Sequence, residues 1–148
     1  MIAQIDGQLL GSVTVPKIKK DRSLRRDQLK PMLAPIKSGL TIAYANLAGV
    51  HLTKNPLVSV EAYTNAIYFS DKKHHTNLGN SLHTTLFSMG DDAGCNLVYN
   101  KYLDGKESNL RQYTLIRHVQ TLLNLNKLKN ALAYLLKILP KIKDDGDL

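Results

Sequence analysis

The sequence predicts a mainly α protein: an antiparallel helical bundle with a small N-terminal β-hairpin or irregular extended elements. Apolar residues recur at helical spacing through the second half of the chain, whereas the first residues alternate around an Asp-Gly pair. At 148 residues we expect a single domain. Its predicted parts are a β element in 1–16, a basic linker or short helix in 17–35, a helical body in 36–143 and a frayed acidic tail in 144–148.

The N-terminal β element is predicted from a turn signal. Asp6-Gly7 separates two short apolar stretches, and the second stretch alternates from Val13 to Val15 before Pro16. Asp-Gly supplies the positive backbone angles of a tight turn, so the pattern favours a hairpin.

The next segment predicts a short helix, a break and a restart. Ser23 is a good N-cap, and Pro31 and Pro35 would interrupt a continuous helix. Helical spacing resumes over residues 36–48, and Gly49 stands where a C-terminal cap belongs.

Residues 50–71 are rich in β-branched and aromatic side chains and are divided by Asn55-Pro56. They could form two short strands around a turn or an irregular connector across the helices. Pro56 argues against a single central strand.

Four apolar stripes predict the remaining helices. The first ends at Gly90, the second ends near Gly105, the third follows Ser108 as N-cap, and the fourth follows Asn126 and is ended by Pro140. Short connections between them predict antiparallel packing. The stripes are Leu78, Leu82, Leu86 and Met89; Cys95, Val98, Tyr99, Tyr102 and Leu103; Leu115, Ile116, Val119, Leu122 and Leu123; and Leu128, Leu132, Leu135, Leu136 and Leu139.

Positive charge is concentrated in two blocks. The first basic block, residues 17–37, has eight basic and two acidic residues, a balance of +6; the second, residues 101–143, has nine and two, a balance of +7. The whole chain carries +8, so the rest is slightly acidic. Clustered cations gain counterion-release free energy on a phosphate backbone, which favours a polyanionic partner.

Both blocks supply candidate nucleic-acid contacts. In the first, cations crowd the start of a predicted helix and oppose its dipole, which is unfavourable for stability alone. In the second, no carboxylate lies between 108 and 143 to form i,i+4 pairs, so an external anion is the better explanation. An ordinary solvated surface is the alternative interpretation of both blocks. The candidates are Lys17, Lys19, Lys20, Arg22, Arg25, Arg26 and Lys30, followed by Arg111, Arg117, Lys127 and Lys129.

Other classes of site find little support. No nucleophile-elbow, phosphate-loop, zinc-protease or dinucleotide motif occurs, so we expect no enzyme and no cofactor. His74, His75 and His83 lie close in sequence to Asp91, Asp92 and Cys95 but lack i,i+4 ligand spacing, so no metal site is predicted. Tyr44 and Tyr99 are expected in the core, whereas Tyr63 and Tyr68 could stack on bases.

The cellular setting is predicted from what the sequence lacks. A single cysteine excludes an internal disulfide and fits a reducing compartment. No leader peptide opens the chain, and no stretch approaches the roughly 20 apolar residues that cross a bilayer. We therefore expect a soluble cytoplasmic protein with no membrane partner.

The segment GLTIAYANLAGVHLTKNPLVSV resembles part of a known family. Over about residues 36–60, a helix rich in small residues is followed by a short extended stretch and an Asn-Pro turn. This stretch resembles the helical small subunit, or the C-terminal domain of the large subunit, in class 1 CRISPR (Cascade-like) effector complexes. The resemblance implies a non-catalytic helical subunit of an RNA-guided antiviral complex, present in several copies, that holds a nucleic acid strand by its backbone.

The sequence therefore predicts a non-catalytic nucleic-acid-binding subunit of a ribonucleoprotein complex, whose partners are RNA or DNA, other subunits and further copies of itself. One alternative is a structural or assembly protein of a virus particle or large complex, which would use Leu132, Leu135, Leu136 and Leu139. A third hypothesis is a metal-dependent nuclease that uses His74, His75, His83 and Asp91 or Asp92.

Overall fold

The computed structural model describes the backbone of residues 22–144 and the side chains of residues 30–142, and this part of the chain is mainly helical, as predicted. No strand occurs between residues 22 and 144, and the predicted N-terminal hairpin lies outside the described residues. The α-helices of this range are α1 (Arg22–His51), α2 (Pro56–Phe69), α3 (His75–Ser88), α4 (Asp92–Val98), α5 (Gln112–Asn124) and α6 (Leu128–Asp144).

Shorter helical turns join these helices. A 3-10 turn (Lys72–His74) precedes α3, a π-helical turn (Tyr99–Leu103) continues α4, and a second 3-10 turn (Glu107–Asn109) precedes α5. The chain forms two compact units, residues 1–37 and 38–148. In the first unit the described side chains, residues 30–37, are all exposed.

Helix α1 corrects the predicted break at the prolines. Pro31 and Pro35 both lie inside one continuous helix, and Gly49 does not end it, because α1 runs on to His51. A proline removes only one backbone hydrogen bond in a helix, the bond to the carbonyl four residues earlier. At positions 31 and 35 the freed carbonyls are those of Asp27 and Pro31; both prolines are exposed, so water is close to this stretch of the backbone.

Helix α2 corrects the prediction of strands or a connector for residues 50–71. Pro56 occupies the start of α2, where its fixed φ and missing N–H fit a helix. The inner face of α2 consists of three small residues, Ser59, Ala62 and Ala66, together with Ile67. Ser59 donates a buried hydrogen bond to the Ala48 carbonyl. Phe69 stacks parallel to Tyr44, with ring centroids 6.0 Å apart. Packing against α1 therefore outweighs the local strand preference of the sequence. The short extended stretch that entered the family resemblance is a helical turn and a tight turn here.

Close contacts fix the middle of the second unit. Gly90 has a φ of 75° and ends α3, with the Asp91 N–H bonded to the Leu86 carbonyl. Asp91 then caps α4 by accepting the Gly94 N–H at 2.9 Å. Gly79 lies so close to Tyr102 that an added Cβ would be 2.6 Å from the tyrosine Cβ, so only glycine lets α3 approach the π-helical turn.

Helix α6 buries a different face from the one predicted. Its core residues are Ala131, Tyr134, Ile138 and Ile142, which are spaced three and four apart. The predicted core leucines point outward: Leu128, Leu132, Leu135 and Leu136, here called the leucine face, are between 40% and 64% exposed. Both stripes have helical spacing, so the sequence pattern could not decide between them. Pro140 lies inside α6 and does not end it.

Apolar clusters of the described residues contribute to the core of the second unit. One lies where the π-helical turn meets α5 and α6, and another lies among α2, α3 and α4. Buried polar residues accompany them, including His83, Thr85, Thr114, His118 and Thr121. Tyr44 and Tyr99 are buried, as predicted.

Candidate functional site

The cations of the first basic block begin α1. Arg22 and Arg25 lie in its first turn, which holds no acidic residue, and Arg26 follows. Lys30 is exposed further along the helix. Positions 22, 26 and 30 are each four residues apart and so follow one side of the helix. The other candidates of this block, Lys17, Lys19 and Lys20, lie outside the described residues.

Three candidates of the second basic block also stand where helices begin. Arg111 directly precedes α5 and is exposed. Lys127 directly precedes α6, its carbonyl accepts the Ala131 N–H at 2.9 Å, and Lys129 lies in the first turn; both lysine side chains are exposed. Neither helix has an acidic residue in its first turn. Cations at these positions oppose the helix dipole, whereas a phosphate would be held by both the cation and the free N–H groups.

Arg117 is used inside the protein. Its guanidinium carbon lies 4.8 Å from the Tyr113 ring centroid and 5.2 Å from the Phe87 ring centroid, and Nη1 donates to the Thr84 hydroxyl at 3.4 Å. This half-buried arrangement between two rings satisfies the cation without an external anion. We therefore leave Arg117 out of the proposed interface.

Two further lysines of the second basic block have tertiary partners that spacing along the sequence did not reveal. Lys137 contacts Glu107 at 2.8 Å and Asp104 at 3.7 Å. Lys141 donates to the carbonyls of Glu107, Ser108 and Leu110. Burial opposes ionisation of Glu107, but hydrogen bonds from Lys137 and from the Gly105 N–H hold its pKa below the ordinary value. The missing i,i+4 carboxylates are thus replaced, at this end of α6, by carboxylates from another segment.

The histidines do not converge on a metal site in the described part of the chain. His74 is exposed, His75 lies edge-on to Tyr102 with ring centroids 5.7 Å apart, and His83 is fully buried. Asp91 is engaged as the cap of α4. Among residues 30–142, no group of three or more His, Cys, Asp or Glu side chains could hold a metal ion.

The two remaining tyrosine candidates have different environments. Tyr68 is 79% exposed and lies edge-on to Phe69, with ring centroids 5.0 Å apart. Tyr63 is half-buried and packs against the cluster among α2, α3 and α4. Of the two, Tyr68 has the surface that stacking on a base requires.

Sequence reasoning missed a group of buried rings that we call the histidine-tyrosine layer: His83, Tyr99, His118 and Tyr134. The His118 ring stacks on Tyr99 with centroids 3.6 Å apart and an interplanar angle of 7°, and Tyr134 stands edge-on to both rings. The two tyrosine hydroxyls share a hydrogen bond. Burial, reinforced by Arg117, lowers the pKa of His83 to about 4, and burial, reinforced by His83, lowers the pKa of His118 to about 4. Both imidazoles are therefore neutral near pH 7.

Cys95 lies in the apolar cluster among α2, α3 and α4 and is chemically unreactive. Its thiol is fully buried and is 3.7 Å from the His83 carbonyl oxygen. Burial, followed by the charges of Asp91 and Asp92, raises its pKa to about 12, so the nucleophilic thiolate is scarce at neutral pH.

A pocket of about 310 Å³, here called the polar pocket, opens beside the histidine-tyrosine layer. Three helical segments form its walls: α4 with the π-helical turn, α5, and α6. Apart from Lys127, its polar lining residues were not predicted, because asparagines on two separate helical segments leave no motif in the sequence. The polar lining residues are Asn96, Asn100, Asp104, His118, Lys127, Asn130, Tyr134 and Lys137.

Comparisons with protein-family models, with curated proteins and with solved structures found no match to this chain. Within the described residues, no helix combines the length and the apolar character needed to cross a membrane. The function is therefore inferred from the exposed cations at the helix starts and from the geometry of the described residues.

Proposed function

We propose that this protein is a non-catalytic nucleic-acid-binding subunit that contacts the phosphate backbone of RNA or DNA within a ribonucleoprotein complex. One observation carries the proposal: α1, α5 and α6 each begin with exposed or closely spaced cations and with no acidic residue in the first turn. Negative side chains at these positions would stabilise the helices, so cations in their place make the starts of these three helices less stable. A bound phosphate supplies the missing negative charge.

The proposed interface has two parts, one in each unit. The part in the first unit consists of Lys17, Lys19, Lys20, Arg22, Arg25, Arg26 and Lys30. The part in the second unit consists of Arg111, Lys127 and Lys129. Contacts of this kind attach to phosphates and carry no sequence information, so the protein would bind with little sequence preference.

The resemblance of residues 36–60 to class 1 CRISPR subunits supports a narrower proposal. On that proposal, several copies line an RNA-guided antiviral effector and hold the target strand or the displaced strand. Its support is the sequence resemblance and the helical character of the described residues. Purification of the protein with its native partners tests it, since a guide RNA and a large effector subunit should accompany it.

Salt-dependent binding tests the phosphate contacts directly. Fluorescence anisotropy with labelled single-stranded RNA, single-stranded DNA and duplex DNA should show affinity falling steeply between about 50 and 200 mM salt. Replacing Lys19, Lys20, Arg22 and Arg25 by alanine should weaken binding and reduce the salt slope by up to about one unit per lost contact.

The matched control removes the same charge elsewhere. Lys54, Lys72, Lys73 and Lys106 are exposed and lie outside both parts of the proposed interface. Their replacement by alanine should change affinity much less than the quadruple variant in the first basic block. Equal losses from the two quadruple variants would mean that net charge alone drives binding, and unchanged affinity of the first would defeat the proposal.

The leucine face favours a second function, assembly into a larger particle or complex. Leu128, Leu132 and Leu136 are each more than 60% exposed, whereas the opposite face of α6 is already buried. The leucines that follow the alternating four-and-three spacing of a helix-pairing seam are Leu128, Leu132, Leu135 and Leu139.

Light scattering over a range of protein concentrations tests this function. Association should disappear in the double variant Leu132→Lys, Leu136→Lys. It should persist in Lys129→Glu, which changes charge on the same helix. A protein that stays monomeric at every concentration would exclude assembly by self-association through the leucine face.

A further inference from the structure

We propose that the polar pocket binds one nucleoside phosphate, with the base against the asparagines and His118 and the phosphate beside Lys127. This inference deepens the proposed function, since the nucleotide could belong to a bound strand. It could also be a free mononucleotide, because the recognition chemistry is the same. The proposal depends on the size, floor, walls and rim of the pocket.

The size of the pocket favours a compact ligand. Small-molecule sites have volumes of roughly 300–1,000 Å³, and about 310 Å³ is at the lower end. A single nucleotide suits a pocket of this volume better than a larger dinucleotide cofactor does. All walls of the pocket belong to the second unit, so it is complete within residues 96–137.

The floor of the pocket contains an unsatisfied polar side chain. His118 is only 4% exposed and lines the pocket, and its Nδ1 has no hydrogen-bond partner among the described residues. Stacking on Tyr99 fixes the ring, and Tyr134 beside it is held by the shared hydroxyl hydrogen bond. A buried polar atom without a partner destabilises the folded protein, so a ligand able to pair with the imidazole would recover part of that free energy.

The walls offer both donors and acceptors. Asn96 and Asn100 are one helical turn apart, with Asn100 Nδ2 3.5 Å from Asn96 Oδ1, and Asn130 of α6 also lines the pocket. An asparagine amide can pair with two adjacent atoms on the edge of a base. A neutral imidazole adds one donor and one acceptor. This combination matches the mixed edge of a nucleobase better than it matches a simple anion.

Charge at the rim places the phosphate. Lys127 lines the pocket and directly precedes α6, so it lies next to the first turn, whose N–H groups are free. Lys137, further along α6, is already paired with Glu107 and Asp104. The cation available to a ligand phosphate is therefore Lys127.

Asn130→Asp is the decisive variant, because it tests binding without weakening the fold. Asn130 is exposed and is the third residue of α6, where a carboxylate stabilises a helix. Inside the pocket the same carboxylate repels a phosphate and loses the amide donor. The matched control is Asn77→Asp, since Asn77 is exposed, is the third residue of α3 and lies outside the pocket.

The experiment compares AMP, GMP, CMP and UMP with inorganic phosphate and with single-stranded RNA, by calorimetry and by shifts of the asparagine side-chain amide signals in NMR. We expect at least one mononucleotide to bind, to shift the pocket amides, and to bind about tenfold more weakly to Asn130→Asp but not to Asn77→Asp. RNA binding that weakens in Asn130→Asp alone and shifts the side-chain amides of Asn96 and Asn100, with no mononucleotide bound, assigns the pocket to a nucleotide within a strand. Inorganic phosphate that binds as well as every mononucleotide would overturn the proposal.

Failure of this inference can be told apart from failure of the proposed function. RNA that binds wild type and Asn130→Asp equally, while no mononucleotide binds, overturns the pocket assignment and leaves the phosphate contacts intact. If neither RNA nor mononucleotides bind wild type, both proposals fail. Mononucleotide binding without any binding of RNA or DNA supports the pocket as a site for a free ligand and removes the broader function.

Discussion

The two ends of helix α6 carry similar lysines with different roles. At the N-terminal end, Lys127 and Lys129 are exposed and have no carboxylate in the first turn. At the C-terminal half, Lys137 pairs with Glu107, and Lys141 donates to three backbone carbonyls of residues 107–110. The lysines in the C-terminal half therefore stabilise the fold, whereas those at the N-terminal end are available for a ligand.

This difference shows how a basic block should be divided before it is assigned to nucleic acid. A lysine that reaches an anionic group on another segment contributes to stability and leaves little charge for a partner. A lysine at a helix start gains nothing from the helix dipole. The two ends of α6 should differ in the pH dependence of stability nearby, in the effect of lysine substitution on the free energy of unfolding, and in affinity for RNA.

The largest expected effect is a pH-dependent loss of stability in the layer beneath the N-terminal half of α6. His83 and His118 have folded pKa values of about 4, below the ordinary 6.5, so the unfolded chain takes up protons that the folded chain does not. Stability present above pH 6.5 should be lost as the pH falls towards 4, by roughly 3 kcal/mol for each histidine at most.

Chemical denaturation at several pH values between 7 and 4 measures this loss. The carboxylate at the other end, Glu107, has a lowered folded pKa, so its contribution is present above its unfolded value and is lost only at lower pH, as the pH passes through the folded value. The variant His118→Phe, which keeps a ring against Tyr99, should lose part of the dependence above pH 4. A free energy of unfolding that does not change from pH 7 to 4.5 would contradict the buried neutral histidines.

The second largest effect separates the ends by stability. Lys141→Met should lower the free energy of unfolding by about 2 kcal/mol, because three carbonyls lose a charged donor. Lys129→Met, the control at the other end, should stay within about 0.5 kcal/mol of wild type. Urea denaturation at neutral pH measures both variants, and equal effects would show that the two ends do not differ.

The third effect separates the ends by affinity. Replacing Lys127 and Lys129 by glutamine should weaken RNA binding roughly fivefold for each lost phosphate contact at physiological salt, with little change in stability. The control replaces Lys72 and Lys73, which are exposed in the turn before α3, by glutamine. Anisotropy titrations at several salt concentrations measure both pairs; similar losses would mean that position on α6 is irrelevant.

The smallest effect concerns the link that positions Lys127. Asn126 has a φ of 58°, and the N–H groups of Asn126 and Lys127 bond to the carbonyls of Leu123 and Leu122, so this residue closes α5 in a left-handed cap. Asn126→Ala should cost about 1 kcal/mol of stability, whereas Asn126→Gly should be neutral or slightly stabilising. Thermal unfolding of the two variants checks the order, and a more stable alanine variant would contradict the backbone assignment.

The sequence predicted the helical class and several boundaries well, because local signals set them. Gly90 and Gly105, predicted near helix ends, both have positive φ, and the last helix begins just after Asn126, as expected. Local signals gave wrong predictions where tertiary packing determined the secondary structure or the buried face of a helix. Pro56 and the β-branched residues after it begin a helix, and the leucines of α6 point outward while Ala131 and Tyr134 are buried.

The candidate site divides in the same way. Charge counting found Arg111, Lys127 and Lys129 as exposed cations, but it could not show that Arg117 lies between two rings or that Lys137 reaches Glu107. Apart from Lys127, the polar pocket had no sequence signal, because Asn130 comes from a different helix from Asn96 and Asn100, and asparagine is common on surfaces.

By itself, the sequence determined that this protein is mainly helical, that helices end near Gly90 and Gly105, and how its positive charge is divided along the chain. These properties depend on residues within a few positions of each other. Only the tertiary structure decided which face of α6 is buried, which lysines are neutralised and where a buried histidine meets a pocket. Those outcomes depend on contacts between residues about 30 positions apart, such as Lys137 with Glu107 and Tyr99 with Tyr134, and one sequence does not encode such distances in a readable pattern.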